Sequence, residues 1–259
     1  MLNDPKNLHV RLAETTRDRQ AAERLRYRVF VEELGGDGPM VDHENRFERD
    51  RFDEHYDHII LVDEARSAEE LDHVVGVYRV MPADRARDVG GFYSEAEYDL
   101  TPLVASGRKL LELGRSCVHP DYRDGQALFL LWQGLGAYVQ ATGSEILFGV
   151  ASFHGTDVDA LAMPLSHLHA KHLAPPELRV RAQPDVFQAM DLMPPEKIDR
   201  VAALRAVPPL IKSYLKLGGY VGDGAYIDRV FNTTDVCLVL DTARISERDR
   251  ARFTGEIAT

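Results

Sequence analysis

One stretch narrows the fold more than any other. "KLLELGRSCV" (109–118) leads through "HPDYRDG" (119–125) into "ALFLLWQGLGAYVQATG" (127–143). The first piece reads as a strand, the last as a strongly apolar helix ended by a glycine, and "EILFGVAS" (145–152) follows as a buried strand. Around this unit the simplest account is one α/β domain, a mixed sheet flanked by helices. Two ionic side chains, Glu112 and Arg115, interrupt the apolar run of the first strand.

The remainder fits the same class. "LHVRLA" (8–13) alternates like an edge strand, and Thr15-x-x-Asp18 is a capping signal for a helix running to about Leu34. Residues 37–56 are charged, with little apolar periodicity, and read as a long loop of the kind that carries function. "HIILV" (58–62) and "VVGVYRVM" (74–81) form a hairpin. Residues 157–172 look helical, and residues 196–217 form a helix broken at Pro208-Pro209. "AYIDRVF" and "DVCLVL" close the chain as a strand pair. No internal repeat or linker breaks the sequence, so one domain is expected over 1–259, with its core in 8–241 and a tail over 242–259.

Of the 259 residues, 31 are basic and 42 acidic, a formal charge of -11. That balance argues against a nucleic-acid binder. Cys117 and Cys237 lie in separate apolar runs without metal-ligand spacing, and two buried thiols imply a reducing compartment. The expectation is a cytoplasmic protein, at most peripheral on the inner face of the membrane. His167, His169 and His172 lack the i, i+4 pair of a zinc protease, so no metal is predicted. His154, just after a strand, is a possible but unsupported base.

Chemistry concentrates in two places. Gly125 opens a helix directly after a strand, where free amides suit a phosphate. Glu112 could take a proton from an attacking amine. Residues three apart on a regular strand face opposite sides, so Glu112 and Arg115 share a side only if the strand bulges, and Gly114 permits this. A bulge is predicted at Leu113–Arg115. The structural alternative is a Glu112–Arg115 ion pair. Arg26 and Phe30 lie four apart on a helix, Asp50 and Asp53 sit in the long loop, and Arg79 is on a strand. As plain structure, Phe30 would be core and the two aspartates a solvated face or a cap. Arg17, Arg19, Arg24, Arg26 and Arg28 crowd the first helix and could receive an acidic partner or anionic headgroups, or simply be solvated.

"YRDGQA" resembles the pyrophosphate loop of the GNAT acyltransferase superfamily, with Gly125 and Ala127 at the small positions and Tyr122 where Arg or Gln is usual. That departure favours a donor with a single phosphodiester over coenzyme A. The order Arg26, Phe30, Asp50, Asp53, Arg79, Glu112, Arg115 resembles the acyl-homoserine-lactone synthases, although Gly36 stands where those enzymes carry a pocket Trp. "VPPLIKSYLKLGGYVGDGAYIDRVFNTTDVCLVL" (207–240) and "LGRSCVHPDYRDG" are similar to the ornithine-lipid N-acyltransferases, over about residues 8–241.

The resemblance implies a GNAT-like fold and transfer of a 3-hydroxyacyl chain from acyl carrier protein to the α-amine of ornithine, giving lyso-ornithine lipid. Glu112 and Arg115 would be catalytic, and Arg26, Phe30, Asp50, Asp53 and Arg79 would bind substrate. Val118, Arg123, Gly125 and Ala127 would meet the donor. No cofactor is implied beyond the donor's own 4'-phosphopantetheine. The alternatives are the same reaction on glutamine, lysine or glycine, an acyl-homoserine-lactone synthase, and a non-catalytic acyl-carrier or lipid-binding module.

Overall fold

The computed structural model describes residues 7–254. In chain order the elements are β1 (Leu8–Leu12), α1 (Thr16–Arg26), a π-helix (Tyr27–Glu33), β2 (Asp57–Asp63), β3 (Val74–Pro82), α2 (Ala83–Asp88), β4 (Tyr98–Asp99), α3 (Thr101–Ala105), β5 (Leu110–Val118) and α4 (Gln126–Thr142). There follow β6 (Ile146–His154), α5 (Ala162–His172), β7 (Arg181–Ala182), α6 (Arg200–Ala206), α7 (Pro209–Lys216), β8 (Tyr220–Val221), β9 (Tyr226–Asp228), β10 (Thr233–Asp241) and α8 (Glu247–Thr254). The chain divides into two compact units. Of the described residues, one takes those up to 89, 113–143 and those from 247, and the other takes 90–112 and 144–246. The chain passes from one to the other four times, once within β5, between Glu112 and Leu113.

In the first unit β1, β2 and β3 run antiparallel, with Leu8 opposite Asp63 and His58 opposite Arg79. The alternation of β2 decides its layers. Ile60 and Val62 face α1, where they pack with Ala21, Ala22, Leu25, Val29, Val77 and Cys117. Ile59 points the other way, to α4, where Gly134 lets the helix approach so closely that a Cβ there would lie 2.6 Å from Val10 Cγ2. The predicted cap of α1 is a full capping box, in which Thr15 Oγ1 accepts from Asp18 N and Asp18 accepts from the Thr15 amide.

The second unit is built on a mixed sheet. β5 runs parallel to β6, with Leu110 opposite Ile146 and Glu112 opposite Phe148. β10 runs antiparallel to β6 over nine pairs, from Thr233–His154 to Asp241–Ile146, and also pairs with β8 and β9. α5, α6 and α7 belong to this unit, as does a small β4–β7 pair.

Three sequence expectations need correction. The helix expected over 157–172 begins at Ala162, because the Asp157 carboxylate holds the amides of Asp159 and Ala160 in a turn. The 196–217 helix is three pieces, because Asp199 caps α6 and Pro208-Pro209 separates it from α7. Finally, the helix that starts at Thr15 does not keep one pitch, since it widens to a π-helix at Tyr27. The tail beyond Thr254 lies outside the described residues.

Candidate active site

Six charged residues from four places in the first unit converge in one buried network. α1 supplies Arg26, β3 supplies Arg79 and β5 supplies Arg115. The 37–56 loop supplies Glu48, Asp50 and Asp53. Arg26 is 0% exposed. Its Nε lies 2.5 Å from Glu48 Oε2, and its Nη1 and Nη2 lie 2.5 and 2.9 Å from the two oxygens of Asp53. Arg79 spans both aspartates, with Nη1 at 2.7 Å from Asp53 Oδ1 and Nη2 at 2.8 Å from Asp50 Oδ2. Its guanidinium also sits 4.3 Å over the Tyr56 ring. Arg115 closes the circuit, 3.2 Å from Glu48 Oε1 and 3.3 Å from Asp50 Oδ2.

Three guanidiniums thus meet three carboxylates and the set is neutral. Burial pushes the Asp53 carboxyl up, but Arg26 and Arg79 outweigh it and hold Asp53 far below the usual carboxylate range. Glu48 and Asp50 are likewise lowered against their burial by the arginines beside them. Burial works to lower the Arg26 pKa, but Glu48 and Asp53 raise it. His58 adjoins the network 3.4 Å from Asp53, and burial lowers its pKa, so it sits there neutral.

The structure therefore brings Arg26, Asp50, Asp53, Arg79 and Arg115 together. Glu48 completes the network and was not among the residues singled out from sequence. Arg26 is enclosed, with both sides of its fork on carboxylates, whereas the side chains of Arg115 and Asp50 keep 13% and 18% exposure. Phe30, on the π-helix, is half-buried and packs on the α1 core.

The expected irregularity of β5 is present, one residue later than the glycine. Arg115 has φ +48, a left-handed conformation inside a strand. That costs about 1–2 kcal/mol for a residue with a Cβ, and it turns the Arg115 side chain to Glu48 and Asp50.

Glu112 belongs to the second unit and is 1% exposed. Its Oε1 accepts from Ser94 N at 2.7 Å and its Oε2 from Tyr93 N at 3.0 Å. These amides open a 3₁₀ turn over Tyr93–Ala96, and a carboxylate there forms strong charge-assisted bonds.

At the start of α4, Gly125 has φ +95 and no side chain with which to cap the helix, and the Asp124 carboxylate accepts from the first helical amide, that of Gln126, at 3.0 Å. Ala127 is buried. Arg123 donates through Nε to the Val118 carbonyl at 3.1 Å and pairs with Glu33 at 2.6 Å. Tyr122 is buried with its hydroxyl 2.5 Å from Asp63, so the residue at the loop's usual Arg or Gln position is a core anchor. Burial of Cys117 pushes its thiol up to about 12, and Cys237 is also buried and raised, so neither is an activated nucleophile. The arginine cluster expected on the first helix is reduced. Arg26 is internal and Arg24 stacks on Phe47, which leaves Arg17, Arg19 and Arg28 exposed.

Comparison with known proteins matches residues 25–133 to the acetyltransferase (GNAT) domain. The chain is 58% identical over 253 residues to an L-ornithine N(alpha)-acyltransferase of Rhodobacter capsulatus, covering 98% of this chain and 97% of that one. The chain belongs to the L-ornithine N(alpha)-acyltransferase family. It is an acyltransferase. Among solved structures it resembles FeeM, an N-acyl amino acid synthase from uncultured soil microbes, with TM-score 0.52, 12% identity, and 97% and 98% of the two chains covered. It also resembles BjaI, a CoA-dependent acyl-homoserine lactone synthase, with TM-score 0.51, 15% identity, and 97% and 90% covered. At those identities the likeness concerns the fold, which is GNAT-like as expected. None of the described helices is long and apolar enough to cross a membrane.

Proposed function

We propose that this protein transfers a 3-hydroxyacyl chain from acyl carrier protein to the α-amine of ornithine, giving lyso-ornithine lipid. The observation that carries the substrate is the 58% identity, over nearly the whole of both chains, to the Rhodobacter enzyme of that name. The donor rests on a different point. A buried Tyr122 tied to Asp63 contributes no cation to a pyrophosphate, whereas the single phosphodiester of a carrier-bound pantetheine needs less of a cradle. Arg123, the Val118 backbone and the first-turn amides of α4 beyond Gln126, whose own amide is held by Asp124, would meet it. The exposed Arg17, Arg19 and Arg28 offer positive charge to an acidic carrier on a chain that is otherwise acidic.

In this reading the α-ammonium of ornithine gives a proton to Glu112. The free amine attacks the thioester carbonyl, and the C–N bond forms as the oxygen becomes an oxyanion. Backbone amides of the irregular strand around Arg115 stabilise that charge. The proton first taken passes from Glu112 to solvent, and Glu112 then takes the second proton from the now cationic nitrogen. As collapse breaks the C–S bond, the leaving thiolate receives that proton from Glu112. Within the first unit, Arg26, Arg79 and Asp53 hold the 37–56 loop, and Arg115, the most accessible of the three network arginines, offers a fork suited to a carboxylate, with Asp50 beside it.

The test is amine-dependent thiol release with purified 3-hydroxyacyl carrier protein and ornithine, run beside the matching acyl-CoA, with mass spectrometry of the product. The expected product is the α-N-acyl amide, formed faster from the carrier. Glu112→Gln is expected to lower kcat by about 10²–10⁴-fold while the protein still melts cooperatively. Undiminished turnover by that variant would remove Glu112 from the mechanism. No release with any amino acid would remove the activity.

A further inference from the structure

The second unit carries a cationic face that the reaction does not use. Residues 197–216 hold five basic side chains, Lys197, Arg200, Arg205, Lys212 and Lys216, against one acid, Asp199, within a chain of net charge -11. Asp199 is occupied as the cap of α6, where it accepts from the amides of Val201 and Ala202. None of the five basic side chains makes an ion pair among the described residues. Elsewhere exposed arginines are paired, Arg46 with Glu32, Arg85 with Asp57, Arg123 with Glu33 and Arg181 with Asp223. Acids outnumber bases 42 to 31, so a shortage of carboxylates does not explain the difference.

Burial aims these cations outward. α6 turns Ala203 to the interior, and α7 turns Ile211 and Tyr214. Residues four apart share a helix side. Val201 and Arg205 therefore lie together on the outer side of α6, and Lys212 and Lys216 on the outer side of α7. The two stripes join where Lys212 Nζ donates to the Arg205 carbonyl at 3.3 Å. Arg244 extends the row past the end of α7, its Nε donating to the Gly218 carbonyl at 3.2 Å. One large apolar side chain stands among the cations. Val201 is 68% exposed, more than any other large hydrophobic residue among those described. Basic side chains around an apolar tip suit a helix that lies at a membrane interface.

We propose that the outer faces of α6 and α7 dock on an anionic phospholipid bilayer, with Val201 in the headgroup layer and the basic side chains on the lipid phosphates. This rests on the reading that the product carries an acyl chain, which favours a bilayer over water. Charge complementarity sets the orientation. The chain as a whole is acidic and is repelled by an anionic surface, so this segment of opposite sign leads the approach. Its long side chains can reach lipid phosphates without breaking any ion pair of the fold. The residues read as meeting the donor, Arg123 and the first turn of α4, belong to the first unit, which leaves this face of the second without a part in donor binding.

The experiment sediments the full chain with vesicles of phosphatidylglycerol and, separately, of phosphatidylcholine, without substrate. Wild type should bind the phosphatidylglycerol vesicles at about 0.1 M salt, be released at about 1 M, and leave phosphatidylcholine unbound. Arg205→Gln with Lys216→Gln should lower partitioning about fivefold per charge, about 25-fold for the pair. Val201→Ser should lower it several-fold. Arg17→Gln with Arg19→Gln makes the same charge change on α1 and should keep wild-type partitioning. The proposal is overturned if wild type stays in the supernatant, if the α1 pair loses as much as the α6–α7 pair, or if the latter binds like wild type. An α6–α7 pair that instead raises KM for 3-hydroxyacyl carrier protein, with vesicle binding unchanged, gives the face to the carrier and also overturns it. Should that pair fail to fold, Val201→Ser decides, and unchanged partitioning there is equally fatal. Vesicle binding needs no turnover, so a protein that acylates no ornithine refutes the parent reading in a separate assay.

Discussion

Replacing Arg26 with Met tests whether the six-residue network holds the first unit together. The change removes three contacts, Nε to Glu48 and both Nη to Asp53, from a side chain that is 0% exposed. Breaking a buried pair by deleting one partner costs about 3–5 kcal/mol. The low end applies, because Asp53 keeps Arg79 at 2.7 Å and Glu48 keeps Arg115 at 3.2 Å. About 3 kcal/mol is the expected loss. Charge counting gives the sharper test. Arg26→Met leaves two guanidiniums against three carboxylates, Glu48→Gln leaves three against two, and the double variant is balanced again. The double variant should therefore be more stable than the sum of the single losses by about 1–3 kcal/mol. Urea denaturation at neutral pH measures this, at low and at high salt. The coupling should survive salt, because buried charges are poorly screened. Strict additivity, or a coupling abolished by 1 M salt, would show that the network is not a closed buried unit.

Two further outcomes follow from packing and protonation. Gly134→Ala gains helix propensity worth about 1 kcal/mol, but the new Cβ would sit 2.6 Å from Val10 Cγ2 and 2.9 Å from Ile59 Cγ2. Overpacking costs about 1–3 kcal/mol, so the variant should melt lower, and Val10→Ala should restore part of the loss. His119 is held by burial at a pKa of about 4 while the unfolded chain protonates near 6.5, so the unfolded state binds more protons in between. Stability should then fall as pH drops from about 6.5 to about 4, and fall further below that as Glu48, Asp50 and Asp53, all depressed, become protonated. His119→Asn keeps an acceptor for the Asp121 amide but cannot titrate, and should flatten the upper window in denaturation midpoints taken across that range.

Much of the fold could be read from residue order because its signals are local. Apolar period and glycine stops mark β2, β3, β5, α4 and β6 to within a residue or two. Arg26, Asp50, Asp53, Arg79 and Arg115 stood out for their order, and the structure does bring them together. Glu48 escaped notice because "NRFERDRFDEHYD" is charged throughout, and no local pattern separates the carboxylate that returns to Arg26 from those left in water. Charge balance was the available clue, since three arginines on three buried elements require three acids. The π-helix at Tyr27 was equally hidden, because a change of pitch within one apolar stripe leaves no mark in composition.

The strand irregularity that aims Arg115 can be tested at that residue alone. Arg115→Ala and Arg115→Gly both delete the contacts to Glu48 and Asp50, so the lost ion pairs cancel between them. What differs is the backbone. In an ordinary strand the glycine variant would be the weaker by about 0.5–1 kcal/mol, because glycine has more freedom to lose. At φ +48 the order reverses, since alanine retains the left-handed penalty of about 1–2 kcal/mol and glycine escapes it. Arg115→Gly should accordingly unfold at higher urea than Arg115→Ala. If alanine proves the more stable, residue 115 is extended in solution. Its guanidinium would then leave Glu48 and Asp50, and the accessible fork suited to a carboxylate would lose its geometric basis.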